Sequence, residues 1–450
     1  MAEKTINKED ILKTIEEKGL ERVRFLYNDL DGITRGYCSY KDSLSNDLDS
    51  GLAFAKAMPV FSALDTIAPG SDYDAIGELR CVPDLSSFRV IPYAEKEGLI
   101  LCDFKTKDHE DWELCGRTLL SKVLEKSPYK VSACFENEFY FVLKKEDGTY
   151  VPFDNSLCFS SYGMQPTEKI VREIVQALKA QGMNVEKYYP EYGPGQQELV
   201  IKYDHGLQAA DNQILYRETV RSVAAKHGVI ASFMPKPFQG LAGSGCHLHI
   251  SMSNGKENLF YSEKSQHNIS DLGLHFIGGV LEHIGPLCAL TASTVTSYKR
   301  LTPHNWASAY SCYGLDNREA ALRICSGQKN REAETTHIEF KPIDGACNPY
   351  LALAAVLAAG LDGIARKVDP GEAVAIDPDN LSSEEKDARK IKRLPTSLQE
   401  ANSALKNDAF FARELGQHLV DEYIILKEYQ WDQYHAQITP WEVNSYLEIY

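Results

Sequence analysis

Residues 134–141 read CFENEFYF. The aromatic side chains favour a strand, and strand side chains alternate, so Glu136 and Glu138 project from one face. Two carboxylates that close, flanked by aromatics, repel each other and lose hydration. A bound cation relieves both penalties, although the pair alone also fits a solvated strand face. Three further stretches favour the cation. Glu191 and Glu198 bracket YGPGQQ, a Gly/Pro turn that leads into the strand-like residues 198–203. Residues 243–251 read GSGCHLHIS, which sets His247 and His249 on one strand face after a glycine-rich entry that permits close backbone approach to a ligand. Residues 336–341 read THIEFK and place Glu339 among apolar neighbours. Five glutamates with one or two histidines suit hard divalent ions, Mg²⁺ or Mn²⁺, better than a thiolate zinc site does.

The chain around these stretches has 450 residues, enough for two domains or one large elaborated one. Hydrophobic residues make up 43% and charged residues 25%, an ordinary globular balance that excludes a disordered, collagen-like or coiled-coil chain. Forty-eight basic residues against 64 acidic ones give a net charge of −16. A general binder of nucleic acid or anionic membrane would carry the opposite sign, so neither partner is expected. An anionic ligand must then meet a local basic cluster, and Lys299, Arg300, Arg318, Arg323 and Lys341 supply one. Carboxylates for two metals together with guanidinium groups for phosphates are the equipment of phosphoryl transfer.

The N-terminal residues 1–13 are polar and lack a signal-peptide core. The longest apolar stretch, 350–361, is short for a bilayer span, so no transmembrane segment and a cytoplasmic location are expected. Eleven cysteines without a CxxC pair read as reduced thiols, most of them buried.

Along the chain, 6–18 has helical spacing, 22–28 and 35–40 read as strands around an Asp-Gly turn, and 83–90 and 98–103 as further strands. The acidic stretch 105–113 reads as a linker. Beyond it come helices at 114–126, 166–181, 209–226, 272–291, 348–367 and 408–428, interleaved with long strands. Residues 370–393 are polar and read as an exposed excursion.

In order and spacing these motifs resemble the class I glutamine synthetase family over almost the whole chain. The matching pieces are VRFLYNDLDG at 23–32, ENE at 136–138, EYGPGQQE at 191–198, FMPKP at 233–237, GSGCHLHIS at 243–251, SYKRL at 297–301, IEFK at 338–341 and NPYLALAA at 348–355. In character the chain is most similar to the γ-glutamyl-amine ligases of that family. The resemblance implies an α+β protein: a small N-terminal β-grasp domain, 1–104, and a large catalytic domain, 112–450, built on an antiparallel sheet with helices. It also implies ATP, two or more Mg²⁺ or Mn²⁺ ions per site, small-molecule substrates, and homo-oligomeric rings, expected as dodecamers, with each site shared with a neighbour's N-terminal domain.

Carried over by residue, the resemblance gives Glu138, Glu191 and Glu198 to the metal near the substrate carboxylate, and Glu136, His247 and Glu339 to the metal on the nucleotide phosphates. Glu186, His249 and Ser251 match nucleotide contacts. Gly243 and Arg300 match contacts to the amino-acid substrate, and Arg318 and Arg323 match arginines around the transferred phosphoryl group, Arg323 on the nucleotide side.

The departures are specific. The family's ammonium-binding aspartate from the N-terminal domain is Ala55 here, and its flap glutamate is Trp306 within SYKRLTPHNWAS (297–308). Both acids around a small cation are thus replaced, and an indole favours an apolar amine or an alkylammonium held by cation–π attraction. The last substrate arginine is Lys341 and the nucleotide-side arginine is His337; an ammonium cannot make the bidentate fork of a guanidinium. The adenylylation-loop tyrosine is missing from KIKRLP (390–395). These features lead to an ATP-dependent ligase that forms a γ-glutamylamide from glutamate and an organic amine through γ-glutamyl phosphate, with Arg318, Arg300 and Trp306 at the chemistry. An ammonia-using glutamine synthetase and a non-catalytic binding or assembly relative are the alternatives.

Overall fold

The computed structural model describes residues 6–450, so the first few residues of the expected N-terminal domain and of the polar N-terminus lie outside it. Two sheets organise the chain. The smaller has six strands in the order Thr34–Tyr40, Arg22–Asn28, Glu97–Lys105, Glu78–Pro83, Leu52–Ala55, with Arg89–Val90 pairing Glu97–Lys105. Its central pair, Arg22–Asn28 with Glu97–Lys105, is parallel. The helix Lys8–Lys18 packs Ile11 and Ile15 into this unit; Asn7 and Asp10 form a capping box at its start and left-handed Gly19 ends it.

The larger sheet has ten strands and follows the order Tyr310–Leu315, Ala320–Cys325, His337–Phe340, Cys246–Ser253, Lys130–Lys144, Gln196–Ile201, Val185–Pro190. Its pairings are antiparallel except between Tyr310–Leu315 and Ala320–Cys325, which run parallel. The fifteen-residue strand Lys130–Lys144 also pairs Asp204–His205, Ile230–Ser232 and Tyr150–Pro152.

Behind this sheet lie the helices Gly206–Lys226 and Pro349–Arg366. The second starts on an Asn348 cap that accepts from the amides of Tyr350 and Leu351, with Pro349 at the first helical position. It is long and apolar enough by composition to cross a membrane, yet 72% of it is buried inside the protein. The helix Asp271–Glu282 crosses it closely, because a β-carbon on Gly279 would stand 2.2 Å from the Ala359 carbonyl oxygen.

Buried polar contacts tie the two sheets' units together. Arg117 donates to Asp84 (2.6 Å), Asp103 (2.9 Å) and Asp211 (2.9 Å). Asn348 donates to the Asp29 carbonyl at 2.8 Å, and the buried pair Lys427–Asp31 links the helix Gln417–His435 to the Asp-Gly turn.

Several sequence expectations change. Residues 83–90 are not one strand: Pro83 ends Glu78–Pro83, and Asp84 caps a short 3₁₀ turn, Leu85–Ser87, by accepting from the Ser86 amide. The helix expected at 272–291 is two, Asp271–Glu282 and Ile284–Thr291, bent by 77°. Pro286 lacks the N–H that would bond residue 282, and its ring would crowd that carbonyl. Likewise 408–428 divides into Ala409–Leu415 and Gln417–His435 at Gly416, whose φ is +100°. Residues 105–113 are no free linker, because Trp112 is buried with its ring 5.8 Å from Phe104. Residues 370–393 are mostly exposed, as expected, but Val374, Leu381 and Ile391 anchor them in a small apolar cluster with Cys312 and Ala320.

Candidate active site

Strand register builds the site. His247 lies directly opposite Glu136, His249 opposite Glu339, Glu198 opposite Glu138, and Arg323 opposite Glu339. His247 Nδ1 is 3.2 Å from Glu339 Oε1 and 3.7 Å from Glu136 Oε2, so one donor atom from each of these three residues falls within 4.8 Å of the others. His247 Nε2 stands 3.9 Å from Glu138 Oε1, on the side where Glu191 and Glu198 gather. The tight entry is why 243–245 is glycine-rich. A β-carbon on Gly243 would be 2.4 Å from Arg300 Cγ, and one on Gly245 would be 2.7 Å from His247 Nε2.

The protons of the acidic side show how crowded it is. Burial, then the charges of Glu136 and Glu138, pushes Glu198 up to about 10. Burial and Glu138 raise Glu191 to about 7. Glu138 is also raised by burial, although it accepts from the Gly245 amide at 3.0 Å and from Gln196 Nε2 at 3.1 Å. Tyr189 donates its hydroxyl to Glu198. These are oxygen donors that hold protons only because their charges lack compensation, and a hard divalent cation fits such a set.

The other side is balanced within the chain. Burial would raise Glu339, but the charges of Lys341, His247, His249 and Arg323 outweigh it and hold the carboxyl at about 2. Arg323 Nη1 donates to Glu339 Oε2 at 2.7 Å, and Lys341 Nζ lies 3.5 Å from Glu339 Oε1 and 3.4 Å from His247 Nε2. His247 is pushed down to about 4 by burial and by Lys341, which leaves a neutral ring able to ligate. His249 Nε2 is 3.1 Å from Glu136 Oε2; burial opposes its charge, but Glu136 prevails and raises it to about 9.

The remaining residues singled out from sequence are spread around this centre. Arg300 is buried, and its Nη2 donates to the carbonyls of Ile343 (2.8 Å) and Lys341 (3.3 Å), while Nε has no partner among the described residues. Ser251 follows His249 by two positions on the same strand, opposite Ser132. Glu186 is exposed on the outermost strand, Val185–Pro190. Ala55 is exposed at the end of Leu52–Ala55 in the other sheet, where it pairs with Glu78, and is not brought to the glutamates of its own chain.

Trp306 sits on the flap, 302–308, with a φ of +52° and 65% of its surface exposed. Arg318 lies 5.9 Å from its ring centre and also bears on Glu191, so the flap faces the acidic side. The exposed His304 anchors the flap to Asp377 (2.8 Å) and Asp379 (3.0 Å). Sequence reasoning passed over three residues here. Gln196 props Glu138, Tyr189 bonds Glu198, and Glu319, only 8% exposed, accepts from the Trp306 amide at 2.8 Å. The alternation that exposed the clustered glutamates could have flagged Gln196; nothing local flags Glu319.

Residues 113–446 match the family model described as glutamine synthetase, catalytic domain, and residues 7–112 that of the glutamine synthetase N-terminal domain. The glutamine synthetase of Methanococcus voltae is 34% identical over 97% of this chain and 98% of its own. A crystal structure of a novel glutamine synthase homolog shares 32% identity at a TM-score of 0.84, covering 96% of this chain and 99% of that one. A GmaS–ADP complex shares 29% identity at a TM-score of 0.86, covering 98% and 99%.

Proposed function

The chain belongs to the glutamine synthetase family, whose members are ATP-dependent ligases that form carbon–nitrogen bonds with the help of divalent metals, and from that premise we propose that it joins the γ-carboxylate of glutamate to an organic amine. The observation that carries this reading is Trp306: where the family places an acid, the flap presents an exposed indole with Arg318 over it.

In this reading Glu138, Glu191 and Glu198 hold one Mg²⁺ or Mn²⁺, and Glu136, His247 and Glu339 hold a second. When bound, the two ions neutralise charge on the phosphates and on the substrate carboxylate. Glu186, His249, Ser251 and Arg323 receive the nucleotide, and the kinship with a GmaS that binds ADP supports that assignment. Gly243 and Arg300 hold the acid with backbone and guanidinium groups, and Lys341 lends its charge through Glu339.

The γ-carboxylate attacks the terminal phosphorus of ATP, ADP leaves, and γ-glutamyl phosphate forms. Arg318 and Arg323 stabilise charge on the moving phosphoryl oxygens. The neutral amine then attacks the acyl carbon, phosphate departs, and the amine's proton passes to solvent or to a nearby carboxylate. Trp306 offers the amine's substituent a flat apolar wall, worth about 25 cal/mol per Å² of apolar surface covered. Rings of subunits, usual in the family and proposed here as dodecamers in the cytoplasm, would set a neighbour's Ala55 beside this pocket, with a methyl where an acid would attract ammonium.

Glu319 favours a second reading, the ammonia-using enzyme. It is an acid directly behind the flap, raised by burial, and it could receive an ammonium proton. Phosphate release from ATP with glutamate, measured across ammonia, methylamine, longer alkylamines, polyamines and an aniline, decides between them. An organic amine as the best nucleophile supports the proposal, and ammonia as the best refutes it.

A further inference from the structure

Beside the glutamates the large sheet assembles a second donor set of different chemistry. Cys325 lies directly across from His337 in the strand register, and His249 stands on the next strand, opposite Glu339. One donor atom from each of His249, Cys325 and His337 lies within 4.8 Å of the other two. His249 Nδ1 and His337 Nε2 face each other at 2.9 Å. On the far side of its ring, His337 Nδ1 is 2.7 Å from the Thr335 carbonyl oxygen. A carbonyl can only accept, so Nδ1 carries the hydrogen and Nε2 of the neutral ring turns a bare lone pair towards the centre of the group. A backbone carbonyl fixing the outer nitrogen in this way is the usual support of a metal-bound imidazole.

We propose that His249, Cys325 and His337 form a site for a borderline-soft divalent ion of the Zn²⁺ class, distinct from the hard-ion positions among the glutamates, and that its occupancy inhibits the enzyme. The donor set decides the class of ion. Two imidazoles and a thiolate select Zn²⁺ or Co²⁺ over Mg²⁺, which prefers oxygen, and three protein ligands leave a fourth tetrahedral position for water. Ligands of a tetrahedral zinc stand about 3.3–3.8 Å apart. The two histidine nitrogens must therefore open by about half an ångström, a shift within rotamer adjustment. Cys325 is buried, while His249 keeps 19% of its side chain exposed, which gives the ion a way in. Binding releases two protons to solvent, that of the Cys325 thiol and the one that His249 Nδ1 shares with His337 Nε2.

Inhibition follows because the ion takes His249 Nδ1 while Nε2 stays on Glu136, so neither nitrogen of that ring is left for the nucleotide. That half rests on the role proposed above for His249; the binding half does not.

The test titrates Co²⁺ into the whole protein held in excess Mg²⁺, and follows thiolate-to-cobalt charge-transfer absorption. A cobalt ion among the glutamates produces no such band. We expect the band to saturate at one equivalent, to be displaced by Zn²⁺, to vanish in Cys325→Ser and to weaken in His337→Gln, which keeps the test alive should the serine variant misfold. No band in the parent protein, or an unchanged band in both variants, overturns the site. In a parallel assay of ATP turnover at fixed Mg²⁺, Cys325→Ser should keep its basal rate and need about tenfold more Zn²⁺ for half-inhibition. If the band depends on Cys325 but Zn²⁺ sensitivity does not, the inhibitory half is overturned while the site stands.

Discussion

Binding of Mn²⁺ should expel protons, in a number set by the crowding of the acidic side. Metal ligands must be deprotonated, and Glu198 at about 10 and Glu191 at about 7 are not fully so without an ion. At pH 7.5 Glu198 is almost fully protonated and Glu191 about one quarter so, which gives roughly 1.2 protons released from these two carboxyls, and the raised Glu138 can only add to that number. At pH 6 Glu191 is about nine-tenths protonated and the release rises to roughly 1.9. His247, held at about 4, adds nothing at either pH. Apparent affinity for the ion should then rise about fifteenfold per pH unit near 7.5 and more steeply at lower pH. The assay is calorimetric titration with Mn²⁺ at one pH in two buffers of different ionisation enthalpy, where the dependence of the apparent heat on buffer gives the proton number. Glu198→Gln should lower that number by about one. Binding without proton release at pH 7.5 would refute the picture of uncompensated carboxylates. The same shifts have a sign for stability. Glu198 and Glu191 are raised above their ordinary 4.5, so in the metal-free protein their stabilising contribution is full below that value and is lost as pH climbs through 7 and then 10. The gap in melting temperature between metal-loaded and metal-free protein should therefore widen from pH 6 to pH 9.

Glu138→Ala and His247→Ala should each fold yet lose on the order of 10²-fold or more in ligation rate, since each leaves charge unpaired at one ion; near-parental turnover in a folded variant would show that the metal assignment is wrong. Activity should require an oligomer, because Ala55 stands on a different sheet from the glutamates of its own chain, and light scattering that finds a fully active monomer contradicts this. Trp306→Glu should move the preference towards ammonia, read as the ratio of kcat/KM for ammonia to that for the best amine; an unchanged ratio would mean that Trp306 does not face the nucleophile.

Much of the site was legible in the sequence because strand alternation is a strict rule. From CFENEFYF and GSGCHLHIS alone, Glu136, Glu138, His247 and His249 fall on shared faces, and the register then sets His247 across from Glu136. What alternation cannot give is which strands become neighbours. Cys325 and His337 sit on consecutive strands and meet His249 only because these pair with Cys246–Ser253, a strand far earlier in the chain, and Glu319 reaches the flap only because the chain folds back behind Trp306. Some misses were readable. Pro286 announces the bend after Glu282, and Gly416 the break before Gln417. The anchoring of the mostly exposed segment 370–393 does not show in the sequence, because Val374, Leu381 and Ile391 are too far apart to mark a period among charged neighbours.

The central claim is that a flap carrying an indole in place of an acid selects an organic amine. Its most direct test is kcat/KM for ammonia against that for methylamine, longer alkylamines, polyamines and an aniline, with glutamate and ATP saturating and Mg²⁺ present. At least one organic amine should exceed ammonia by about tenfold or more, the gain expected from covering some 55 Å² of apolar surface on Trp306. Ammonia as the best nucleophile of the parent protein would contradict it.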